Sequence, residues 1–389
     1  MFILFPAHIF DTVQQFRFES EYRARFERRL DKDFSKTNRD NRTDFFQRAR
    51  VVMKFQGDGN WTGFAQFQFA HDLITTPQRN SSDESRDILL AYAQQKNKSD
   101  KLTLGRQKID IGSERLIGSL EWVNRSRSLD AIRFQNGQFD AFAAEVGIQN
   151  FQPQQARIAG ISIPNRVGVT TLIFKHDKAA TSTDHWTLSE AANGHAYGLN
   201  YDFEGALQDG HIGGKTVEAW AVHMQVGNKL SKSSQVSFEW NAASGGSSTA
   251  SKVRTFDNLY PTNHKFYGLM DMQAWKNMSQ IALIYTNKVR PDVDLKARVG
   301  KNWLQDSRDA WYGATGVPNR YSGGAFSDPT GASGKDLGTE FDLESVWKKN
   351  SKESLLFGVG LYEPGHFVSN LTGSSQLQVF TCLQYSLRF

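Results

Sequence analysis

Apolar and polar residues alternate with period two along most of the chain. Near the start, Phe16, Phe18, Tyr22, Ala24 and Phe26 share one face of an extended strand, while Arg17, Glu19, Glu21, Arg23 and Arg25 share the other. The pattern repeats: Phe45, Ala49, Val51, Met53 and Phe55 alternate with Arg48, Arg50 and Lys54, and Trp61, Ala65, Phe67 and Phe69 with Thr62, Gln66 and Gln68. Further along, Tyr197, Leu199, Tyr201 and Phe203 oppose Asn200 and Asp202, and Val236, Phe238, Trp240 and Ala242 oppose Ser237, Glu239 and Asn241. Val293, Leu295, Ala297 and Val299 oppose Asp294, Lys296 and Arg298; Phe341, Leu343 and Trp347 oppose Glu340, Asp342 and Glu344. One such strand suits a soluble sandwich or a membrane barrel equally. Many strands of about ten residues, often ending in an aromatic, fit the spanning strands of a transmembrane β-barrel, whose polar face lines a wet lumen.

Connection lengths alternate as well. Short turns are expected at 57–60 (GDGN), 97–100 (NKSD), 135–138 (QNGQ) and 289–292 (VRPD). Long polar loops are expected near 31–43, 72–86, 112–127, 176–194, 306–335 and 363–374. Short periplasmic turns with longer outer loops are the usual asymmetry of outer-membrane barrels. The count comes to eighteen antiparallel strands in one domain over residues 12–389, with 1–11 read as a leader remnant or tail. Under this count the Gly/Ser-rich connection 244–263 falls on the short-turn side, either as a periplasmic segment or because one hairpin nearby is miscounted.

Composition narrows the alternatives. Among 389 residues, 22% charged and with a mean hydropathy of −0.52, no run approaches the roughly 18–20 apolar residues of a membrane helix. Nine prolines are few enough for long strand ladders, and the single cysteine, Cys382, excludes a disulfide framework. A net charge of +5 without a Lys/Arg run gives no nucleic-acid signature. The nine histidines form no H-E-x-x-H motif, and no G-x-S-x-G elbow is present, so neither an enzyme nor a cofactor or metal site is expected. A barrel hydrolase would need a Ser–His or Asp–His pair on neighbouring strands. At the C-terminus, Leu377, Val379, Thr381, Leu383, Tyr385, Leu387 and Phe389 alternate to the last residue. That ending resembles the signal read by the outer-membrane barrel assembly machinery, expected here as a partner alongside outer-membrane lipid.

Four segments resemble the alginate-export family of outer-membrane porins: LTLGRQKIDIGSERLIGSLEW at 102–122, NRSRSLDAIRF at 124–134, TFDNLYPTNHKFYGLMD at 255–271 and DAWYG at 309–313. Their order fits the family across nearly the whole chain, with Leu129 where an aromatic is expected. The resemblance implies an 18-stranded barrel in the bacterial outer membrane. It also implies a basic constriction passing an anionic, uronic-acid-type polysaccharide, with Arg106, Arg115 and Arg127 as family-like arginines. A general anion or oligosaccharide porin is the alternative.

Arginine suits such a permeant because its planar guanidinium stays charged and binds carboxylate bidentately. The inward face of the first two strands carries Arg17, Arg23, Arg25, Arg48, Arg50 and Lys54 against Glu19 and Glu21. Arg133, Lys296 and Arg298 complete the expected pore-lining set. The plain alternative is that these charges pair across strands, as Lys296 and Arg298 would with Glu344 and Asp342. Arg106 falls by alternation on the face of Leu102 and Leu104, so a bulge or a strand end is expected there.

Overall fold

The computed structural model describes residues 15–35, 40–76, 85–146, 156–178 and 181–389; the expected leader remnant lies outside them. Alternation becomes strand throughout. The first nine strands are β1 (Gln15–Leu30), β2 (Arg42–Gln56), β3 (Trp61–Thr76), β4 (Ser85–Asn97), β5 (Asp100–Gln107), β6 (Leu129–Gln135), β7 (Asp140–Glu145), β8 (Ala156–Pro164) and β9 (Val169–Asp177). The second nine are β10 (Thr183–Ala196), β11 (Leu199–Ile212), β12 (Lys215–Lys229), β13 (Ser234–Ala243), β14 (Met278–Arg290), β15 (Val293–Trp303), β16 (Asp336–Lys348), β17 (Glu353–Pro364) and β18 (Gln378–Arg388). Each strand pairs antiparallel with its neighbours in sequence, and β18 pairs with β1 from Glu21↔Arg388 to Leu30↔Val379. The sheet is therefore closed and leaves no edge with unpaired backbone, which hydrocarbon would not tolerate. Phe389 fastens the seam through two backbone hydrogen bonds with Ser20, at 2.8 and 3.0 Å.

The two faces separate as the alternation requires. Phe18, Phe69 and Leu207 are more than half exposed on the outside, while Gln68, His185, Asn241, Gln280 and Asn302 are fully buried on the inside. Residues 31–41, 108–128, 244–277, 304–335 and 365–377 connect strands at one end, which is the outer end by loop length. A two-residue-per-strand hairpin, Arg320–Tyr321 with Gly324–Ala325, and a short helix, His366–Thr372, decorate these loops.

The long connection 244–263 lies at the outer end, which corrects the strand parity expected from sequence. A second correction concerns β10, which occupies most of the loop expected at 176–194. Trp186 and Leu188 are its only large apolar residues, so its alternation is faint.

The outer-end connections pack against one another and against the barrel wall, and they bring the apolar core with them. Ile109, Ile117, Phe256, Leu259, Tyr267 and Trp275 belong to one buried cluster. Phe34, Met270, Trp311, Phe326, Tyr362 and Phe367 belong to a second.

Candidate functional site

The loop 108–128 reaches from β5 to the inward faces of β1 and β2, where four arginines take hold of it, three by its backbone and one by its side chains. Arg23 donates to the carbonyl oxygens of Glu121 (2.8 Å) and Val123 (3.1 Å), and Arg48 donates to the same two (3.1 and 3.4 Å). Arg25 donates to Trp122 O at 2.5 Å and packs its guanidinium 4.1 Å from the Trp122 ring centroid. Arg50 reaches Gln68, the Glu121 carboxylate (2.8 Å) and Ser126 (2.5 Å). The physical reason is the donor count. A turn held across a lumen has carbonyls with no strand partner, and each guanidinium supplies several N–H groups in a fixed fork. Glu21 meets Arg48 at 2.7 Å, Glu27 meets Arg25 at 2.7 Å, and Lys108 pairs with Glu121. Burial opposes ionisation of Glu121, yet Arg50, Lys108 and Arg48 hold its carboxyl down to about 2.

A second loop, 244–277, crosses from the other side and meets the first in mid-lumen. Ile117 and Tyr260 form a parallel β-bridge, with Gly118 N–H on Tyr260 O and Tyr260 N–H on Leu116 O, both at 2.9 Å. Gly118 permits this approach, because a Cβ there would lie 2.2 Å from the Thr262 hydroxyl. Arg127 locks the junction by donating to the carbonyls of Gly118 (2.9 Å), Tyr260 and Pro261 (3.2 Å). Asp257 ties the loop to the far wall through Lys175 (2.6 Å) and His185 (3.0 Å). Burial works against the charge on Asp257, but Lys175 and the His185 bond hold it well below the usual carboxylate range. Trp122 of the first loop stacks on His264 of the second, with ring centroids 3.8 Å apart and planes 10° apart. His264 in turn bonds Asp271 at 2.7 Å, and Arg29 lies 3.6 Å from the same carboxylate.

The acidic wall of β16 does the complementary job. Glu340 accepts Met270 N–H at 2.8 Å and Asp342 accepts Leu269 N–H at 3.2 Å. Gly268, at φ +124°, leaves room for Glu340, whose carboxylate would lie 2.4–2.6 Å from a Cβ.

The residues singled out from sequence thus fall into distinct places. Arg23, Arg25, Arg48 and Arg50 come together under the first loop and are almost fully buried. Arg17 is exposed on the inward face near the short-turn end, where Lys54 pairs with Glu19 at 2.6 Å. Arg133 is clamped by Asp140 at 2.8 and 2.5 Å. Arg115 is buried beside Glu204 (3.9 Å), its guanidinium 4.0 Å from the centre of the Phe266 ring. The register sets Lys296 opposite Glu344 and Arg298 opposite Asp342, and Arg298 bonds Gln280 (2.7 Å) and Glu239 (3.3 Å). Arg106 does not line the lumen. It stands at the outer end of β5 on the barrel exterior, held bidentately by Asp130 at 2.8 and 2.9 Å, so a strand end rather than a bulge resolves its awkward parity.

Sequence reading did not single out Lys108, Glu121, Trp122, Lys175 or Asp257. The signal of Lys108, Glu121, Trp122 and Asp257 was present only as polar and aromatic residues inside the segments matched as family motifs, and Lys175 on β9 lies outside them. Three His–Asp hydrogen bonds form among the described residues, at His176–Asp184, His185–Asp257 and His264–Asp271, and His223 lies 3.7 Å from Asp202. Among the described residues, none of these imidazoles is hydrogen-bonded to a serine or threonine hydroxyl. Between Trp122, Phe266, Lys296, Asp342 and Glu344 a cavity of about 280 Å³ remains.

A closed 18-strand barrel with apolar exterior, polar interior and inward-folded outer loops is a porin-type channel of the bacterial outer membrane. Residues 14–157 and 165–381 match the alginate export family, and the chain belongs to it. No curated protein matches the sequence significantly. Three solved structures from Pseudomonas aeruginosa share the fold. OprD has a TM-score of 0.63 at 10% identity, covering 96% of this chain and 93% of its own. OccK3 (OpdO) has 0.64 at 11%, covering 97% of each, and OpdK 0.63 at 10%, covering 97% of this chain and all of its own.

Proposed function

We propose that the channel passes anionic solutes, with uronic-acid-type carbohydrate as the class suggested by the family. The observation that supports this is the charge around the first loop. Five cations (Arg23, Arg25, Arg48, Arg50 and Lys108) meet three carboxylates (Glu21, Glu27 and Glu121). Bonds to neutral carbonyls leave a guanidinium charged, so an excess of two positive charges persists at the constriction. Narrow, low-dielectric walls focus such a field onto a permeating ion. Lys296, beside the remaining cavity, adds a cation within reach of a solute. The buried arginines act through this field and by shaping the loop, rather than by direct contact.

Small carboxylates are the second reading, favoured by how much of the lumen the loops occupy. OpdK, of similar fold, was solved with vanillate, an aromatic carboxylate. Planar-bilayer recording tests both. Discrete, anion-preferring steps blocked by oligouronates more strongly than by a monomeric uronate support the carbohydrate reading. Equal block by monomer and oligomer supports small carboxylates, and cation preference rejects the proposal.

A further inference from the structure

The outer surface of the barrel has one region unlike the rest. β6 and β7 contain seven and six residues, against 13–16 in β1–β4. The seven residues of β6 inclined at roughly 45° rise only about 17 Å, well short of the roughly 25 Å apolar band of outer-membrane barrels. Across this low wall the register aligns Ile132, Ala143, Ala159 and Phe174 in one outward row. The two alanines form the floor of a groove of about 540 Å³, with Ile132 and Phe174 as its sides and Trp186 bracing Phe174 at 4.5 Å.

The next outward row, toward the outer end, is Asp130, Glu145, Arg157 and His176. Asp130 is taken by Arg106, and His176 by Asp184 at 2.5 Å. Glu145 has an interaction of its own. Arg157 is exposed and makes no hydrogen bond or ion pair among the described residues. An uncompensated guanidinium on a lipid-facing wall requires a counter-charge at its own depth.

We propose that this groove holds an acyl chain of a phosphorylated outer-leaflet lipid, with the lipid phosphate on Arg157. The chain lies over Ala143 and Ala159, where no side chain of the barrel projects. The phosphate takes the two-pronged hydrogen bond that a guanidinium offers. The short wall supplies the depth match, since a bilayer thins beside a short apolar span and its phosphates move inward. The lipid is thereby an integral part of the wall where the barrel is lowest.

The full chain in mild detergent, mixed with diphosphorylated lipid A and examined by native mass spectrometry, tests the assignment. Saturable retention of one lipid per barrel is expected. Arg157→Gln should lower it about tenfold, the scale of one charge-assisted hydrogen bond. Ala159→Phe, which fills the floor, and dephosphorylated lipid A with the parent protein should lower it similarly. Arg28→Gln, at the exposed outer rim of β1, should leave it unchanged. Heat-modifiable migration reports whether each barrel is folded, and Arg157→Gln decides alone if Ala159→Phe is not. Equal retention by Arg157→Gln and the parent would overturn the proposal. So would self-association of the parent that Ala159→Phe abolishes, which would assign the groove to a second copy of the chain.

Discussion

On β1 and β2 the inward residues are arginines, and the loop segment laid against them presents carbonyl oxygens. On β16 the inward residues are carboxylates, and the segment laid against them presents N–H groups. Each wall has the polarity that the facing backbone lacks partners for. Charge on a lumen wall is therefore not in itself a statement about the permeant. The walls differ in what remains after the bonds are made. The four arginines have Glu21 and Glu27 of β1 beside them. On β16, Glu340 and Asp342 stand side by side, with Arg298 4.0 Å from Asp342 as the opposing charge. The basic wall thus anchors and, under the proposed function, also sets a field, whereas the acidic wall chiefly anchors.

The largest effect is expected from removing the basic anchor. Changing Arg23, Arg25, Arg48 and Arg50 together to glutamine leaves the Glu121–Val123 carbonyls short of donors, and each lost charge-assisted bond is worth about 1.5–3 kcal/mol. Single-channel conductance should rise several-fold as the loop leaves the lumen, while heat-modifiable migration shows an intact barrel. Next is Gly268→Val, which drives a Cβ into Glu340 and strains a φ of +124°. A loss of about 2–3 kcal/mol in urea unfolding is expected, whereas Glu340→Gln keeps its acceptor for Met270 N–H and should cost under about 1 kcal/mol.

Trp122→Ala should come third. It removes the stack on His264 and the Arg25 contact, about 1–2 kcal/mol in sum, so brief openings should become roughly tenfold more frequent in bilayer recordings. The smallest effect concerns pH. The carboxyl of Glu121 lies at about 2, below its ordinary 4.5, so its tie to the basic wall is complete above 4.5 and weakens as pH falls toward 2. Openings should therefore become more frequent over that window and stay constant from pH 5 to 8. Glu121→Gln should flatten the response.

Much of this architecture was legible in the sequence, because period two writes the lipid face directly. The inward rows of β1–β3, the pairing of Lys296 and Arg298 with Glu344 and Asp342, and the closing C-terminal strand all follow from it. β10 was not legible, since two large apolar side chains are too few to mark its outer face. The role of the arginines was only half legible. Alternation shows that Arg23 and Arg48 point inward, but nothing local shows that their partners are carbonyls of residues 98 and 73 positions further on. The same distance hides Asp257, whose partners Lys175 and His185 sit on strands more than seventy residues earlier.

Reversal potential in a salt gradient tests most directly whether the basic wall both anchors and sets the field. Two sets of the four arginines should be compared, one changed to lysine and one to glutamine. Lysine keeps the charge but loses the fork that holds the carbonyls. The account predicts raised conductance in both sets, with anion preference kept by the lysine set and lost by the glutamine set, the difference shrinking as salt rises. The same reversal potential in both sets, or anion preference surviving in the glutamine set, would contradict it.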